Sequence, residues 1–488
     1  MNYTTGSKNK GVKESRKGNK KFPILTSMGI FTILFLAMSI YLFVFCTTKE
    51  EELINNSYNS RQEILLSRNT RGTIFSRDNL VLATTVTDED GKETRIYPYG
   101  KVFSHIIGYD TKGKMGVEGY GNYYLINSNI SISQKVKNDT AGLKNPGDNV
   151  YTTLDTRLQK ACDSYLNVYQ GAIVITEVKT GKILAMVSHP GFDPNEIDVI
   201  WDKLIQDENN SVLLNRVTQG LYPPGSTFKI CTALEFYRQN KESYQNYRYL
   251  CNGNIQYNGA RVECYHGTKH GLVDFRESFV KSCNSSFANY GLHLDWTAYE
   301  QTMKNLLFNQ KLPTSLTTSN SSFTIPDMED TSLVMQTSFG QGKTLMTPLH
   351  LNMITAAIAN DGILMKPYVI DKVISADDKV IKEFPQTKYG PLMLKEEAFI
   401  LQDIMTAAVT EGTYTKLKNL PYTVAGKTGS AEFSSNKEEC HSWFTGYAPA
   451  EDPEIALTLI MEGAGTGGDY AVPLARDIFD VYFDINSD

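Results

Sequence analysis

YPPGSTFKI, residues 222–230, sets a serine and a lysine three positions apart directly after two prolines and a glycine. On a helix, positions i and i+3 share a face, so the Ser226 hydroxyl and the Lys229 amine can meet at its surface. Pro223, Pro224 and Gly225 read as a tight turn leading into that helix. Ser226 then sits near the helix N-terminus, where free backbone N–H groups favour developing negative charge. This is a workable geometry for a nucleophile. The same residues also suit an N-cap serine followed by a surface lysine, so partners elsewhere in the chain must decide.

Two further polar elements supply them. KSCNSSFANYG contains Ser282, Cys283 and Asn284, and VAGKTGSAEF contains Lys427, Thr428, Gly429 and Ser430. S-x-x-K, then S-x-N, then K-T-G is the ordered signature of serine acyltransferases that react with penicillin. Each element alone is weak, and the three together are specific. Here the chain resembles the penicillin-binding transpeptidases. The likeness extends through RGTIF, GVEG, TTLD, GAIVITEVKTGKILAMVSHPGFDPN, HGLVDFRESFVKSCN, FGQGKTLMTPLHLNMITAAIANDG and HSWFTGYAP. It narrows to the class B, monofunctional type, because the stretch between the apolar N-terminal segment and Asn145 is too short for a glycosyltransferase domain. The family's usual opening RGxIxDRNG stands here as RGTIFSRDN, with Ser76, Asp78 and Asn79 in altered places. That departure touches a local turn, not the three motifs.

The resemblance implies a peptidoglycan D,D-transpeptidase that crosslinks stem peptides ending in D-Ala-D-Ala and is acylated by β-lactams. Ser226 would form the acyl-enzyme, which divides one hard amide exchange into two easier steps. Lys229, its ammonium destabilised by the second cation Lys427, would act as base. Ser282 would relay a proton to the leaving amine, and Asn284 would hold the peptide backbone and Lys229. Lys427 and Thr428 would lie near the terminal carboxylate, with the KTGS strand pairing to the extended substrate. Backbone N–H groups of Ser226 and Ser430 would form the oxyanion hole, and Gly429 joins them as an oxyanion or substrate residue. No cofactor is needed for this chemistry. A membrane-anchored serine β-lactamase is the rival enzyme, but no E-x-x-L-N lies between Asn284 and Lys427 to deacylate it. A β-lactam sensor of the same fold is the rival binding module.

Composition agrees with a membrane-anchored, exported protein. Hydrophobic residues at 41% and charged residues at 21% describe a folded chain. Residues 1–21 are different, with seven Lys or Arg against Glu14, and read as a cytoplasmic basic tail. Residues 22–46, FPILTSMGIFTILFLAMSIYLFVFC, carry no charge and are long enough to cross a bilayer. Basic residues before this segment and Glu50 and Glu51 after it place the N-terminus in the cytoplasm by the positive-inside rule. The expected location is therefore the bacterial cell membrane, single-pass, with the catalytic domain outside. The tail contributes +6 to a total of −6, so the rest of the chain carries −12, which argues against a nucleic-acid partner. By family resemblance, glycan strands would come from a polytopic glycosyltransferase of the shape, elongation, division and sporulation type.

Beyond the span, residues 47–150 mix GTIF, LVLATTV and TRIYPYG with turns and suggest a small, mostly β pedestal module. NPGDNVYTTLD, residues 145–155, looks like a boundary, and residues 151–488 form the transpeptidase domain. A hairpin is expected in GAIVITEVKTGKILAMVSHPGF, strands in YTVAGKTGSAEF, SWFTGYAPA and EIALTLIMEG, and a last helix from about Val472 to Phe483. Helix-rich sequence between strand pairs points to a mixed α+β fold: an antiparallel sheet flanked by helices, plus a helical lobe.

One cluster lies outside this scheme. CNGNIQYNGARVECYHGTKHG gathers Cys251, Cys264, His266 and His270, with Gly253 and Asn258-Gly259 favouring a hairpin between the cysteines. A Cys251–Cys264 disulfide is the ordinary outcome for exported cysteines. A structural zinc held by the two thiolates and one or both histidines is the alternative, and free thiols are the third. Cys283, inside SCN, reads as a packed residue.

Overall fold

The computed structural model describes residues 1–3, 6, 21–54, 61–207, 211–412, 414–432 and 439–484. Most of the basic tail lies outside them. The chain divides into two units, Met1–Asn59 and Ser60–Asp488. The first is dominated by the helix Lys21–Ile54, whose segment Ile24–Cys46 spans 23 residues with a mean hydropathy of 2.4 and none of it buried. At ~1.5 Å per residue such a segment covers the ~30 Å of a hydrocarbon layer.

The second unit is built on a five-stranded antiparallel sheet of β1 (Gly171–Glu177), β2 (Ile183–His189), β3 (Ala425–Glu432), β4 (Cys440–Ala448) and β5 (Ile455–Met461). The spatial order is β3-β4-β5-β1-β2, so the KTG strand β3 is an edge. Both faces are covered, which is why β1, β2 and β5 read as near-continuous apolar runs and not as alternating ones. Adjacent residues of β4 show the two faces. Thr445 bonds Thr355 of the helix Pro348–Ala359, while Phe444 packs on Phe479 of the helix Val472–Tyr482. The Pro348–Ala359 helix is mainly apolar and buried on nearly every side, and its polar His350, Asn352 and Thr355 side chains are hydrogen-bonded. The expected hairpin, the three later strands and the last helix all form where the sequence places them.

The helical lobe comprises Lys229–Gln239, Phe275–Val280, Asn284–His293, Trp296–Asn305 and Thr331–Thr337. Two short helices meet at Ser282 because each has its own start signal. Asp274 and Glu277 form a capping box for the first, and Cys283 caps the second by accepting from the Ser286 N–H.

The pedestal departs from expectation in two ways. It contains the helices Ser104–Ile107, Gly116–Tyr120, Asn122–Ile126 and Ile132–Ala141 beside its strands. The first three, of four or five residues, are too short to establish a helical period, and the ten-residue Ile132–Ala141 buries no residue, so it carries no core-facing apolar stripe. A six-stranded sheet also crosses the expected boundary at residue 150. Asn149–Thr152 pairs with Ile74–Phe75 on one side and with Ile370–Ile374 on the other. Strands from the catalytic half thus complete the pedestal sheet, and residues 60–488 form one compact unit.

Candidate active site

The nucleophile turn is held from three directions. Gly225 donates its N–H to the Gly340 carbonyl at 3.0 Å, Tyr222 pairs with Met346, and Trp443 Nε1 donates to the Pro223 carbonyl at 3.2 Å. Gly225–Phe228 is a 3-10 turn that passes into the α-helix at Lys229. Ser226 is half-buried, and its hydroxyl makes no hydrogen bond among the described residues. Lys229 is fully buried and points into the lobe.

Lys229 Nζ donates to the Ser282 carbonyl at 2.8 Å, to the Ser282 hydroxyl at 3.1 Å and to Asn284 Oδ1 at 2.7 Å. Lys427 Nζ, equally buried, donates to the same Ser282 hydroxyl at 3.0 Å. Ser282 adopts φ +49°, in the left-handed region, at the corner between two helices. The turn presents both its carbonyl and its hydroxyl to Lys229. Aromatic rings wall the two ammonium groups: Phe287 and Phe339 face Lys229, and Phe279 and Tyr414 face Lys427. Burial therefore lowers the Lys229 pKa well below the usual lysine value, and the Lys427 charge lowers it further. Burial brings Lys427 down to about 7. Both shifts favour the neutral amine, the form a general base needs.

Strand β3 runs beside the nucleophile turn at close range. A Cβ on Gly429 would lie 3.0 Å from both the Pro224 carbonyl oxygen and Thr227 Cγ2, so only glycine permits this approach without displacement. Thr428 and Ser430 are half-buried, and Ser430 Oγ accepts from the Gly467 N–H at 3.1 Å. The fold thus joins Lys229, Ser282, Asn284 and Lys427 in one buried hydrogen-bonded group and sets the half-buried Ser226 turn against Gly429 and Ser430 of β3; the Ser226 hydroxyl and the Lys229 amine, neighbours by spacing, make no hydrogen bond to each other. Sequence reasoning missed Tyr414, whose hydroxyl meets Lys427 and Thr428; an isolated tyrosine in a loop carries no local signal of that role.

The cysteine cluster assembles next to this site with one change of member. Cys251, Cys264, His270 and Cys283 place their ligand atoms within 4.8 Å of one another. His266 does not join them. It occupies an exposed turn at φ +49°, against the Tyr265 ring. Cys283 takes its place because the segment between Ser282 and Asn284 packs onto the Cys251–Cys264 hairpin. The Cys251 and Cys264 Sγ atoms lie 3.7 Å apart with no bond between them. The Cys264 thiol is acidified by its hydrogen bond with Cys283, whose own thiol is pushed up by the same contact. His270 is raised by its bond to Cys264.

Known proteins resemble this chain over most of its length. Residues 171–480, more than half of the chain, match the penicillin binding protein transpeptidase domain, and residues 71–150 match the penicillin binding protein A dimerisation domain. The chain is 29% identical over 443 residues to the peptidoglycan D,D-transpeptidase PbpA of Mycolicibacterium smegmatis, covering 85% of this chain and 90% of the relative. It superposes on the ceftriaxone acyl-enzyme complex of penicillin-binding protein A from Mycobacterium tuberculosis with a TM-score of 0.78 at 28% identity, covering 86% of this chain and 99% of that one. A D,D-transpeptidase domain from Eggerthella lenta gives a TM-score of 0.76 at 27% identity, with 86% and 99% covered.

Proposed function

The chain belongs to the penicillin-binding protein transpeptidase family, and we propose that its reaction runs through Ser226 with Lys229, Ser282 and Lys427 as the proton-handling set. It is a class B peptidoglycan D,D-transpeptidase, a serine-type acyltransferase. The observation that carries the residue assignment is the convergence of two desolvated lysines on one serine hydroxyl.

Ser226 Oγ bonds to the carbonyl carbon of the penultimate D-Ala as its proton passes to neutral Lys229. The oxyanion that forms lies against the backbone N–H groups of Ser226 and Ser430, a contribution of about 3 kcal/mol per donor. The C–N bond to the terminal D-Ala then breaks, with the leaving amine taking a proton through Ser282. An acceptor amine from a second stem peptide attacks the acyl-enzyme, and its proton passes through the lysine pair to Ser226 Oγ as the ester C–O bond breaks, which restores the serine hydroxyl and neutral Lys229. Asn284 aligns Lys229 and the substrate backbone, and Lys427 and Thr428 receive the terminal carboxylate. β-Lactams enter by the same first step.

Residues 1–21 are the cytoplasmic tail in this reading, 22–46 the membrane anchor, 47–150 the pedestal and 151–488 the catalytic domain on the outer side. The charge asymmetry around Ile24–Cys46 supports that orientation. A laterally associated polytopic glycosyltransferase supplies the glycan strands that this chain crosslinks.

Cys251, Cys264, His270 and Cys283 would hold a structural zinc. Two thiolates at ~2.3 Å on a tetrahedral centre stand about 3.8 Å apart, and a thiolate and an imidazole nitrogen about 3.5 Å apart. Cys251–Cys264 and Cys264–Cys283 are each 3.7 Å apart, and Cys251 Sγ lies 3.5 Å from His270 Nδ1. Backbone N–H groups of Gly253, Ser285 and Ser286 point at the three sulfurs, as they do around ligating thiolates. Zinc there would tie the segment carrying Ser282 and Asn284 to the hairpin and take no part in the chemistry.

Turnover of a disaccharide-peptide dimer by the full-length protein in detergent tests the assignment. Wild type should form crosslinked product and Ser226→Ala should form none. Acylation by penicillin without crosslinking would instead identify a sensor, and rapid release of hydrolysed penicillin a β-lactamase.

A further inference from the structure

Tyr414 lies outside all three motifs, in the loop before β3, yet it is 3% exposed and its hydroxyl reaches into the KTG strand. Lys427 Nζ and the Thr428 backbone N–H each donate to this phenol oxygen at 3.2 Å, and Thr428 Oγ1 bonds it at 3.0 Å. Two consequences follow.

The first concerns the strand edge. In an antiparallel pair, alternate residues turn their N–H and C=O groups to the partner and to the outside. The Thr428 N–H goes to Tyr414, so Thr428 faces outward, and by the same alternation so does Ser430. An extended peptide adding to this edge pairs with Ser430 but finds Thr428 already capped by the phenol.

The second concerns protons. A phenol oxygen offers two lone pairs, and three donors converge on it. The two N–H donors have directions set by backbone and by burial, whereas a threonine hydroxyl rotates. The Thr428 proton is therefore the surplus one. It can turn to an incoming anion without leaving Tyr414 unsatisfied, and the phenol O–H then donates to Thr428 Oγ1. Burial raises the Tyr414 pKa, so the phenol keeps the proton this exchange requires.

We propose that Tyr414 is a positioning residue that makes Thr428 a hydrogen-bond donor to the terminal carboxylate of the substrate and ends the peptide-docking edge at that residue. This rests on the transpeptidase reading of the site and adds to it the residue that sets carboxylate recognition.

The test uses full-length protein in detergent and two thioester analogues of the stem peptide, one ending in a free carboxylate and one in a carboxamide. For Tyr414→Phe, which also takes a partner from Lys427, kcat/KM for the carboxylate should fall about tenfold more than kcat/KM for the carboxamide, the effect of one hydrogen bond to a charged group. Loss of packing alone would slow both substrates alike, and that result, or an unchanged preference, would overturn the proposal. Thr428→Val gives a second measurement that leaves Tyr414 in place. It should lose the same preference, and the double variant should lose no more than either single one. Independent, additive losses would also overturn the proposal. Labelling of Ser226 by fluorescent penicillin separates the two levels: an unlabelled wild type removes the transpeptidase reading and this proposal together, whereas a labelled, active wild type with an indifferent Tyr414→Phe removes this proposal alone.

Discussion

Lys229 and Lys427 share one oxygen: their Nζ atoms lie 3.1 and 3.0 Å from the Ser282 hydroxyl, inside walls of aromatic rings. Two ammonium groups at such a distance from a common partner repel each other in a poorly screened site. That repulsion adds to burial in favouring the neutral amine at Lys229, and the Ser282 hydroxyl stands between the two nitrogens.

That coupling sets the pH dependence of acylation. The Lys427 charge is part of what lowers Lys229, so replacing it with the neutral Lys427→Met raises the Lys229 pKa. The rising limb of acylation rate against pH should move to higher pH, with a slower rate at pH 7. Stopped-flow measurement with a fluorescent penicillin reads the limb. A limb that stays or moves to lower pH would show that Lys427 does not act on Lys229.

Gly340 stands at φ +80°, and a Cβ there would sit 2.1 Å from the Gly225 carbonyl oxygen and 2.5 Å from Phe228 Cβ. Gly340→Ala should cost about 2 kcal/mol or more from conformation and collision together. It should also slow penicillin acylation, because the carbonyl that must move belongs to the residue before Ser226. Thermal melting and acylation rate check the two effects on one preparation.

In the pedestal, Glu118 is completely buried between Arg71 at 2.6 Å and Arg95 at 2.7 Å. Glu118→Ala leaves both guanidinium groups desolvated without their counter-charge. The expected destabilisation is about 3–5 kcal/mol, seen as a lowered melting temperature. A variant as stable as wild type would mean that water reaches this site.

Full-length protein purified without added metal should contain about one zinc per chain, since the donor set supplies a single tetrahedral site. Cys283→Ser should lower both metal content and melting temperature, and His266→Ala should lower neither. Elemental analysis with peptide mapping reads this result. A metal-free sample crosslinked between Cys251 and Cys264 would replace the zinc with a disulfide.

Ser226, Lys229, Ser282, Asn284 and the Lys427–Ser430 run are legible in the sequence because each group rests on short local structure: a turn into a helix, a corner between two capped helices, and an edge strand. Residue spacing alone orients such side chains. The central strands and the apolar N-terminal helix are legible for the same reason, through period and length. What only the tertiary structure decided lies between segments distant along the chain. Cys283 joins the cysteine cluster and His266 leaves it, Tyr414 reaches Thr428 across a loop, and Ile370–Ile374 completes a sheet begun at Ile74. These partnerships are settled by which surfaces pack together, and packing depends on the summed burial of the whole chain, a quantity that no local pattern of residues records.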